Sequence, residues 1–234
     1  MNQISFQSVY QTITARGEFK LGQRAMTPDG REWQFVKAAT EAMGSGAAVV
    51  PVAAVSADLF SSSSDQQGRI VYATRAASTM TVGAYEDWIG IVDEGTGLGQ
   101  SFKIKTNNAT TFTLYPENAF GTALAVGSSD LTWIGMSNVE LAAVTSKLQM
   151  CQGGIQVSFA SGDYGWVLTN GDGRALAGDT SLLVGTGFST GDDVEGQVDV
   201  AVITEGALTA QNLGYTIVAN GASDIATLVR WITR

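Results

Sequence analysis

Three acidic residues in the C-terminal third of the chain have a spacing that could serve catalysis or metal binding. Asp192, Asp193 and Glu195 lie in one glycine-flanked stretch, and alternation along an extended chain puts Asp193 and Glu195 on one face and Asp192 on the other. Two carboxylates can hydrolyse a glycoside, and three acidic side chains can bind a hard cation. Acidic residues in a turn of this kind are more often solvated. We therefore predict no catalytic residue and no metal ligand in the chain.

Two further stretches have a superficial likeness to binding loops. Residues 170–173 (Asn-Gly-Asp-Gly), with Asp163 nearby, offer oxygen ligands, but a calcium loop needs about six of them and a closing Glu, which is missing. This sequence favours a hairpin turn instead. Residues 95–99 are rich in glycine but lack both the dinucleotide spacing and the Lys-Ser/Thr ending of a phosphate loop. They are predicted to form a plain turn before an amphipathic strand.

The composition excludes several classes of function. The 234 residues include no histidine, one cysteine, and 13 basic against 22 acidic residues, for a net charge of −9. Mechanisms with an imidazole base, Cys/His zinc sites and internal disulfides are therefore ruled out. The acidic balance argues against nucleic-acid binding through a basic surface. We expect a non-enzymatic protein without a cofactor, in which the single Cys151 is a small buried apolar residue.

No segment of the sequence has the features of a membrane span or an export signal. The longest apolar run, residues 47–55, is interrupted by Pro51 and is far shorter than the ~20 residues that a membrane helix needs. The first six residues lack a basic head and an apolar block. We expect synthesis in the cytosol without export and no interaction with membranes.

Apolar residues alternate with polar ones along most of the chain. Trp33 and Phe35 fall on one side of a predicted strand, and the same pattern recurs at residues 102–105, 111–114 and 198–202. The runs 102–105 and 111–114, with Asn107-Asn108 between them, are predicted to form one hairpin. Turn residues separate these runs every 8 to 12 positions, beginning with Thr27–Arg31. The prediction is an all-β protein built from β-sandwich or barrel modules, with an extended N-terminal arm and at most one short helix. The best helix candidate is Asn138–Met150.

Changes in composition indicate how the chain is organised. We predict an N-terminal arm over residues 1–20, a first β segment over 21–60 and a central β module over 66–136, with the boundary in the serine-rich stretch 61–68. A C-terminal β module over 150–234 follows, either alone or paired with residues 21–60 as one discontinuous domain. Pro51 should confine its run to a sheet edge or to an extended segment.

Residues 1–37, which include the N-terminal arm, are mildly basic, whereas the rest of the chain is acidic. This asymmetry fits either a basic arm that contacts an acidic partner or ordinary solvated charge. The apolar residues of the arm have little of their own to pack on, so we expect the arm to reach a neighbouring protein. The residues predicted to make this contact with a neighbouring protein or subunit are Phe6, Val9, Tyr10, Arg16 and Lys20.

Four segments, in this order, resemble a family of tailed-bacteriophage head proteins known as decoration, cement or head-fibre proteins. Residues 21–38 contain an Asp-Gly-Arg turn and the strand Trp-Gln-Phe-Val-Lys-Ala, and residues 85–107 contain Gly-Leu-Gly-Gln-Ser-Phe-Lys-Ile-Lys. Residues 113–132 begin with Thr-Leu-Tyr-Pro and end with Ser-Ser-Asp-Leu-Thr. Residues 162–171 contain Gly-Asp-Tyr-Gly-Trp-Val and a later glycine. The serine-rich stretch and the acidic turn at 192–195 depart from the family pattern.

This resemblance implies a structural virion protein. It would be made in the host bacterial cytoplasm, lie on the outside of the capsid, bind the major capsid protein and form a homo-oligomer, most often a trimer. Two alternatives remain open from the residues alone. One is a tail, baseplate or host-glycan-binding module that uses Trp88 or Trp166. The other is a glycoside hydrolase that uses the acidic residues at 192, 193 and 195.

Overall fold

The computed structural model describes residues 2–39, 41–52, 55–63, 70–73, 82–109, 111–115, 120–122, 124–126, 128–135, 137–142, 151–178, 182–191, 194–201, 212–219 and 225–233. The chain divides into two compact units: unit 1 combines Met1–Pro51 with Ser137–Arg234, and unit 2 is Val52–Met136. The described residues form seventeen strands and one four-residue helix. The predicted all-β class, with barrel and sheet arrangements and at most one short helix, is confirmed.

Unit 1 contains the helix and an eleven-stranded sheet. Its elements are β1 (Asn2–Gln3), α1 (Phe6–Val9), β2 (Arg24–Met26), β3 (Glu32–Ala38), β4 (Ala48–Pro51), β11 (Asn138–Leu141), β12 (Gly153–Ile155), β13 (Tyr164–Ala177), β14 (Gly187–Thr190), β15 (Val198–Val200), β16 (Gly214–Thr216) and β17 (Ile225–Ile232).

Strand β13 joins two closed rings of strands in unit 1. Its first half pairs with β3, and the pairings β3–β11, β11–β4, β4–β12 and β12–β13 close a ring of five. Its second half pairs with β17, and β17–β16, β16–β14, β14–β15 and β15–β13 close another. Closure hides most strand edges, which would otherwise be open to pairing with other chains.

Each ring of unit 1 is filled by apolar side chains. In the first ring every strand contributes a buried aliphatic residue to one cluster: Val36, Val139, Val49, Ile155 and Val167. A larger cluster holds three fully buried tryptophans, Trp33, Trp166 and Trp231, together with Phe188 from the second ring. Successive side chains of a strand point to opposite faces, so every second residue of each strand lies in the interior.

Unit 2 contains the strands β5 (Val55–Ser63), β6 (Ile70–Ala73), β7 (Ile89–Glu94), β8 (Ser101–Asn107), β9 (Thr111–Leu114) and β10 (Asp130–Ile134). They form a closed antiparallel barrel in the order β10-β5-β6-β9-β8-β7. Its core is aromatic: the rings of Phe112 and Trp133 meet edge to face at 4.8 Å, and Tyr85 meets Trp88 at 5.0 Å. The predicted hairpin of β8 and β9 is confirmed, with Ile104 opposite Leu114.

One local prediction in the middle of the chain is wrong, and another holds for only one of its two alternatives. The predicted helix Asn138–Met150 begins as strand β11, because its backbone pairs with β3 on one side and β4 on the other; residues 143–150 lie outside the described residues. Pro51 is the last residue of the extended strand β4, and its ladder partner is Val139 of β11. The alternative of a sheet edge is wrong, since β4 has β11 and β12 as neighbours.

The predicted hairpin turn at residues 170–173 is also wrong. These residues lie inside β13, where pairing passes from β3 to β17 at Asn170. The register of the pairing with β3 shifts between Leu168 and Asn170, and Gly171 follows at φ 119°. The strand continues because each residue from Asn170 to Ala177 has a partner on β17. The glycines allow a bend rather than a reversal of the chain.

The serine-rich stretch does not separate the two units. Ser61, Ser62 and Ser63 belong to β5 of the barrel, and residues 64–69 lie outside the described residues. The change of unit comes earlier, after Pro51. Residues 21–51 and the C-terminal part of the chain therefore share unit 1. None of the described helices is long and apolar enough to cross a membrane.

The N-terminal segment is mostly non-helical, but its apolar residues pack on unit 1. Val9 is 1% exposed, and Ile4, Ile13 and Phe19 contact the core cluster. The Ile13 backbone exchanges two hydrogen bonds with that of Tyr164. The expectation that these residues have little to pack on is therefore wrong. Among the large apolar residues of this segment that the structure describes, Phe6 and Tyr10 are the exposed ones, at 43% and 41%.

Candidate functional surface

The tight turn between β2 and β3 places Arg31 at the surface of unit 1. The Gly30 N–H donates to the Thr27 carbonyl at 2.9 Å, and Gly30 adopts φ 85°, which glycine tolerates without strain. Asp29 accepts hydrogen bonds from Thr27 Oγ1 and from Arg31 Nε, both at 2.6 Å. The predicted turn is thus confirmed, and it fixes the direction of the Arg31 side chain.

The Arg31 guanidinium lies among three aromatic rings. Its central carbon is 5.6 Å from the Phe6 ring centre, 5.9 Å from Tyr10 and 5.5 Å from Trp33, all within the range of cation–π attraction. Its Nη1 also donates to the Tyr10 hydroxyl at 2.8 Å. Trp33 is fully buried, whereas Phe6 and Tyr10 are exposed. Together, Phe6, Tyr10 and Arg31 form a surface that we call the aromatic–arginine patch.

A second ion pair joins β13 and β17. Asp172 and Arg230 are cross-strand partners, and Arg230 donates from Nε and Nη2 to the two oxygens of Asp172, the second bond being 2.8 Å long. Two parallel bonds of this kind fix the geometry of both groups. The Arg230 guanidinium also lies 5.9 Å from the ring centre of Tyr215 on β16. This arrangement repeats that of Arg31 beside Tyr10.

The two ion pairs border one cleft of about 500 Å³. Asp29 and Arg31 come from the β2–β3 turn, Asp172 from β13 and Arg230 from β17. The cleft lies where pairing along β13 passes from β3 to β17. Its lining is polar and contains as many carboxylates as guanidiniums.

Hydrogen bonding keeps both carboxyls of the cleft ionised. Burial raises the pKa of Asp29, but bonds from Thr27 and Arg31 outweigh it, and the net pKa is below the ordinary value. The pKa of Asp172 is lowered chiefly by its hydrogen bonds from Arg230. The pKa values of Arg31 and Arg230 are raised. All four groups therefore carry charge at neutral pH, and the cleft has no net charge.

The structure divides the predicted contact residues into exposed and buried members. Phe6 and Tyr10 are exposed and belong to the aromatic–arginine patch, and Lys20 is also exposed. Val9 is buried and Arg16 is half-buried. Val9 is thus an anchor of the segment rather than a group available to a partner.

The residues considered for chemistry are not brought together by the described structure. Asp192 and Asp193 lie outside the described residues, and Glu195 is exposed in a turn. Asp163 accepts from the Ala160 N–H at 3.2 Å, which is a local turn contact. No group of three or more His, Cys, Asp or Glu that could hold a metal occurs in the part of the chain that the structure describes.

Both tryptophans considered for glycan binding are core residues. Trp88 is 4% exposed and Trp166 is 1% exposed. Trp88 packs against Tyr85 inside the barrel, and Trp166 packs against Phe35 at 5.2 Å in unit 1. Neither ring is presented to a ligand. Cys151 is buried as predicted, and burial raises the pKa of its thiol to about 12, so it is not a nucleophile at neutral pH.

Sequence reasoning missed the cleft because its parts are far apart in the chain. Asp172 and Arg230 are 58 residues apart, and Arg31 is 21 residues from Tyr10. The one available signal was the alternation Leu228-Val229-Arg230-Trp231, which puts Arg230 on the face opposite the buried tryptophan. That pattern does not reveal which strand lies next to it.

No family model matches the chain, and no curated protein or solved structure shows a significant match to it. The likeness to phage decoration proteins therefore rests on the four sequence segments alone.

Proposed function

We propose that this protein is a non-enzymatic structural component of a tailed-phage virion. It binds the outside of the head and stabilises the lattice of the major capsid protein. It acts as a homo-oligomer, with a trimer favoured, and takes no cofactor and no nucleic acid as partner. The oligomer and the location on the capsid surface follow from the resemblance.

The placement of the four resembling segments supports this proposal. Residues 21–38 form β2 and β3, and residues 162–171 lie in and just before β13, so both contribute to unit 1. Residues 85–107 and 113–132 supply β7, β8, half of β9 and most of β10 of the barrel. The resemblance thus covers strands that build both cores, as expected when relatives share a scaffold rather than a catalytic site.

The aromatic–arginine patch is the single observation that carries the proposal. Tyrosine and arginine are among the residues that dominate binding energy at protein interfaces. Here Phe6 and Tyr10 project from a segment that is anchored by the buried Val9. The side chains are held in place before binding by Arg31, which lowers the entropic cost of ordering them in an interface.

The test is binding of the purified protein to expanded empty heads that lack it. We expect saturable binding to heads and none to naked DNA. The double substitution Phe6→Ala, Tyr10→Ala should lower the affinity for heads at least tenfold, because both exposed rings are removed from the interface.

The matched control is Leu183→Ala, which removes an apolar side chain that is 63% exposed on the same unit. It should leave head binding unchanged. Failure of the wild-type protein to bind heads would refute the proposed function. Equal affinities of the double variant and the wild type would show that the aromatic–arginine patch is not the contact.

A further inference from the structure

The cleft between the two ion pairs has the size and position of a ligand site. Its volume of about 500 Å³ falls within the ~300–1,000 Å³ typical of small-molecule sites. Its walls come from the β2–β3 turn and from β13 and β17, so paired strands hold them in place. Gly171 lines the cleft without a side chain; a methyl group there would meet Arg31 Cγ at 2.6 Å.

The lining of this cleft supplies both hydrogen-bond donors and acceptors. Asp29 and Asp172 offer carboxylate oxygens, Asn170 offers both an acceptor and two donors, and Arg31 and Arg230 offer guanidinium N–H groups. Each guanidinium carries five N–H groups, more than the single carboxylate paired with it accepts in the structure. The ion pairs orient these groups before any ligand arrives, so little freedom is lost on binding.

The charge balance selects the class of ligand. An anion in the cleft would be repelled by Asp29 and Asp172, and a cation would be repelled by Arg31 and Arg230. The cleft therefore favours neither kind of ion. A hydroxyl group suits both, because it donates to a carboxylate and accepts from a guanidinium. Several hydroxyls on one rigid ring match several such pairs at once.

Two exposed tyrosines complete the arrangement. Tyr10 lies beside Arg31 and Tyr215 beside Arg230, and they are 41% and 38% exposed. Neither tyrosine is among the residues that line the cleft. Each lies against a guanidinium that does, and so helps to hold that group in place.

We infer that this cleft binds an uncharged saccharide, with its hydroxyls shared between the Asp29–Arg31 and Asp172–Arg230 pairs. The site is separate from the two tryptophans, which are buried, and the inference goes beyond the proposed attachment to the capsid.

The test uses the full-length protein and a panel of neutral oligosaccharides made of glucose, galactose, mannose or N-acetylglucosamine, with uronic-acid and sulfated oligosaccharides for comparison. Titration calorimetry should show saturable binding of at least one neutral member and weaker binding of charged ones. No binding of any neutral member at 10 mM would overturn the inference.

Asp172→Asn is the informative variant because it keeps the shape of the side chain and removes its charge. It should weaken binding of the neutral saccharide at least tenfold. It should also improve binding of uronic-acid oligosaccharides relative to neutral ones, because Arg230 is left without its carboxylate. A variant with wild-type affinity and preference would refute the assignment.

Two controls separate this result from misfolding and from the capsid role. Asp93→Asn removes a carboxylate of the barrel that accepts from Thr132 and should leave saccharide binding unchanged. Unchanged near-ultraviolet circular dichroism of Asp172→Asn confirms its fold. Asp172→Asn should still bind heads, so loss of saccharide binding with intact head binding separates the two functions.

Discussion

At the scale of single residues, two arginines of unit 1 share one arrangement: each contacts one carboxylate and one tyrosine. Arg31 contacts Asp29 and Tyr10, and Arg230 contacts Asp172 and Tyr215. The carboxylates keep the guanidiniums oriented, and the rings cover one face of each. The Asp172–Arg230 pair is exposed to solvent, whereas the Arg31 side chain is half-buried. An exposed ion pair contributes little to the stability of a fold.

The effect of pH on the Asp172–Arg230 pair follows from the lowered pKa of Asp172. The pKa of an aspartate in the unfolded chain is ~3.9. When the folded-state pKa is lower than this, the ionised carboxyl stabilises the folded protein at any pH above ~3.9. This stabilisation is lost as the pH falls through the folded-state pKa. The difference in unfolding free energy between wild type and Asp172→Asn should therefore be constant from pH 8 to about 5 and shrink below about pH 4. Urea denaturation at each pH measures it.

The same difference should shrink at pH 7 in 1 M salt, since exposed charges are screened there. A difference that stays constant down to pH 2.5 would mean that the pair does not contribute through its charge.

At the scale of elements, close backbone approaches fix the turn between β7 and β8. Gly95, Gly97 and Gly99 all have φ between 75° and 91°, which confirms the turn predicted there and explains its glycines. A methyl group on Gly95 would lie 1.7 Å from the Ser128 carbonyl oxygen, whereas one on Gly99 would meet nothing within 4 Å. The two positions share a conformation but differ in surroundings.

Gly95→Ala should therefore destabilise the barrel more than Gly99→Ala. The left-handed conformation costs about 1–2 kcal/mol for alanine at either position, and the clash with the Ser128 backbone adds about 1–3 kcal/mol only at Gly95. Thermal and urea unfolding of the two variants measure this difference. Equal losses would show that the carbonyl of Ser128 moves away at little cost.

At the scale of the whole molecule, unit 2 is an insertion in the sequence of unit 1. The sequence of unit 1 is interrupted after Pro51 in β4 and continues from Ser137. Pro51 is the antiparallel partner of Val139 in β11, so the two ends of this interruption lie close together. The ends of unit 2 also meet, since Val55 in β5 is opposite Trp133 in β10. Each unit has a core of its own, as expected of domains able to fold alone.

Replacing residues 52–136 with Gly-Asn-Gly should leave unit 1 folded, because β4 and β11 then need only a short hairpin connection. We expect a cooperative unfolding transition and native-like fluorescence from the three tryptophans of unit 1. Residues 52–136 alone should likewise fold as a barrel. Non-cooperative unfolding of both fragments would contradict the independence of the units.

How far prediction from sequence succeeded depended on whether the deciding interactions were local. The strand at Trp33 and Phe35, the turn at Thr27–Arg31 and the β8–β9 hairpin depend on alternation and on turn residues, and all three are confirmed. The helix at Asn138 and the turn at Asn170 failed because pairing with strands distant in sequence outweighed local preference. The cleft could not be predicted, since its members come from three separate segments.

The amino-acid sequence by itself determined that the chain is a β protein, which residues point inward, and that imidazole, disulfide and thiolate-zinc chemistry are absent. Only the tertiary structure decided that β13 serves two rings, that the N-terminal segment is anchored by Val9, and that Arg31 and Arg230 face one cleft. Alternation is a property of neighbouring residues and is visible along the chain. The choice of strand partners is a property of the whole core, because it depends on which combination of faces can be buried together.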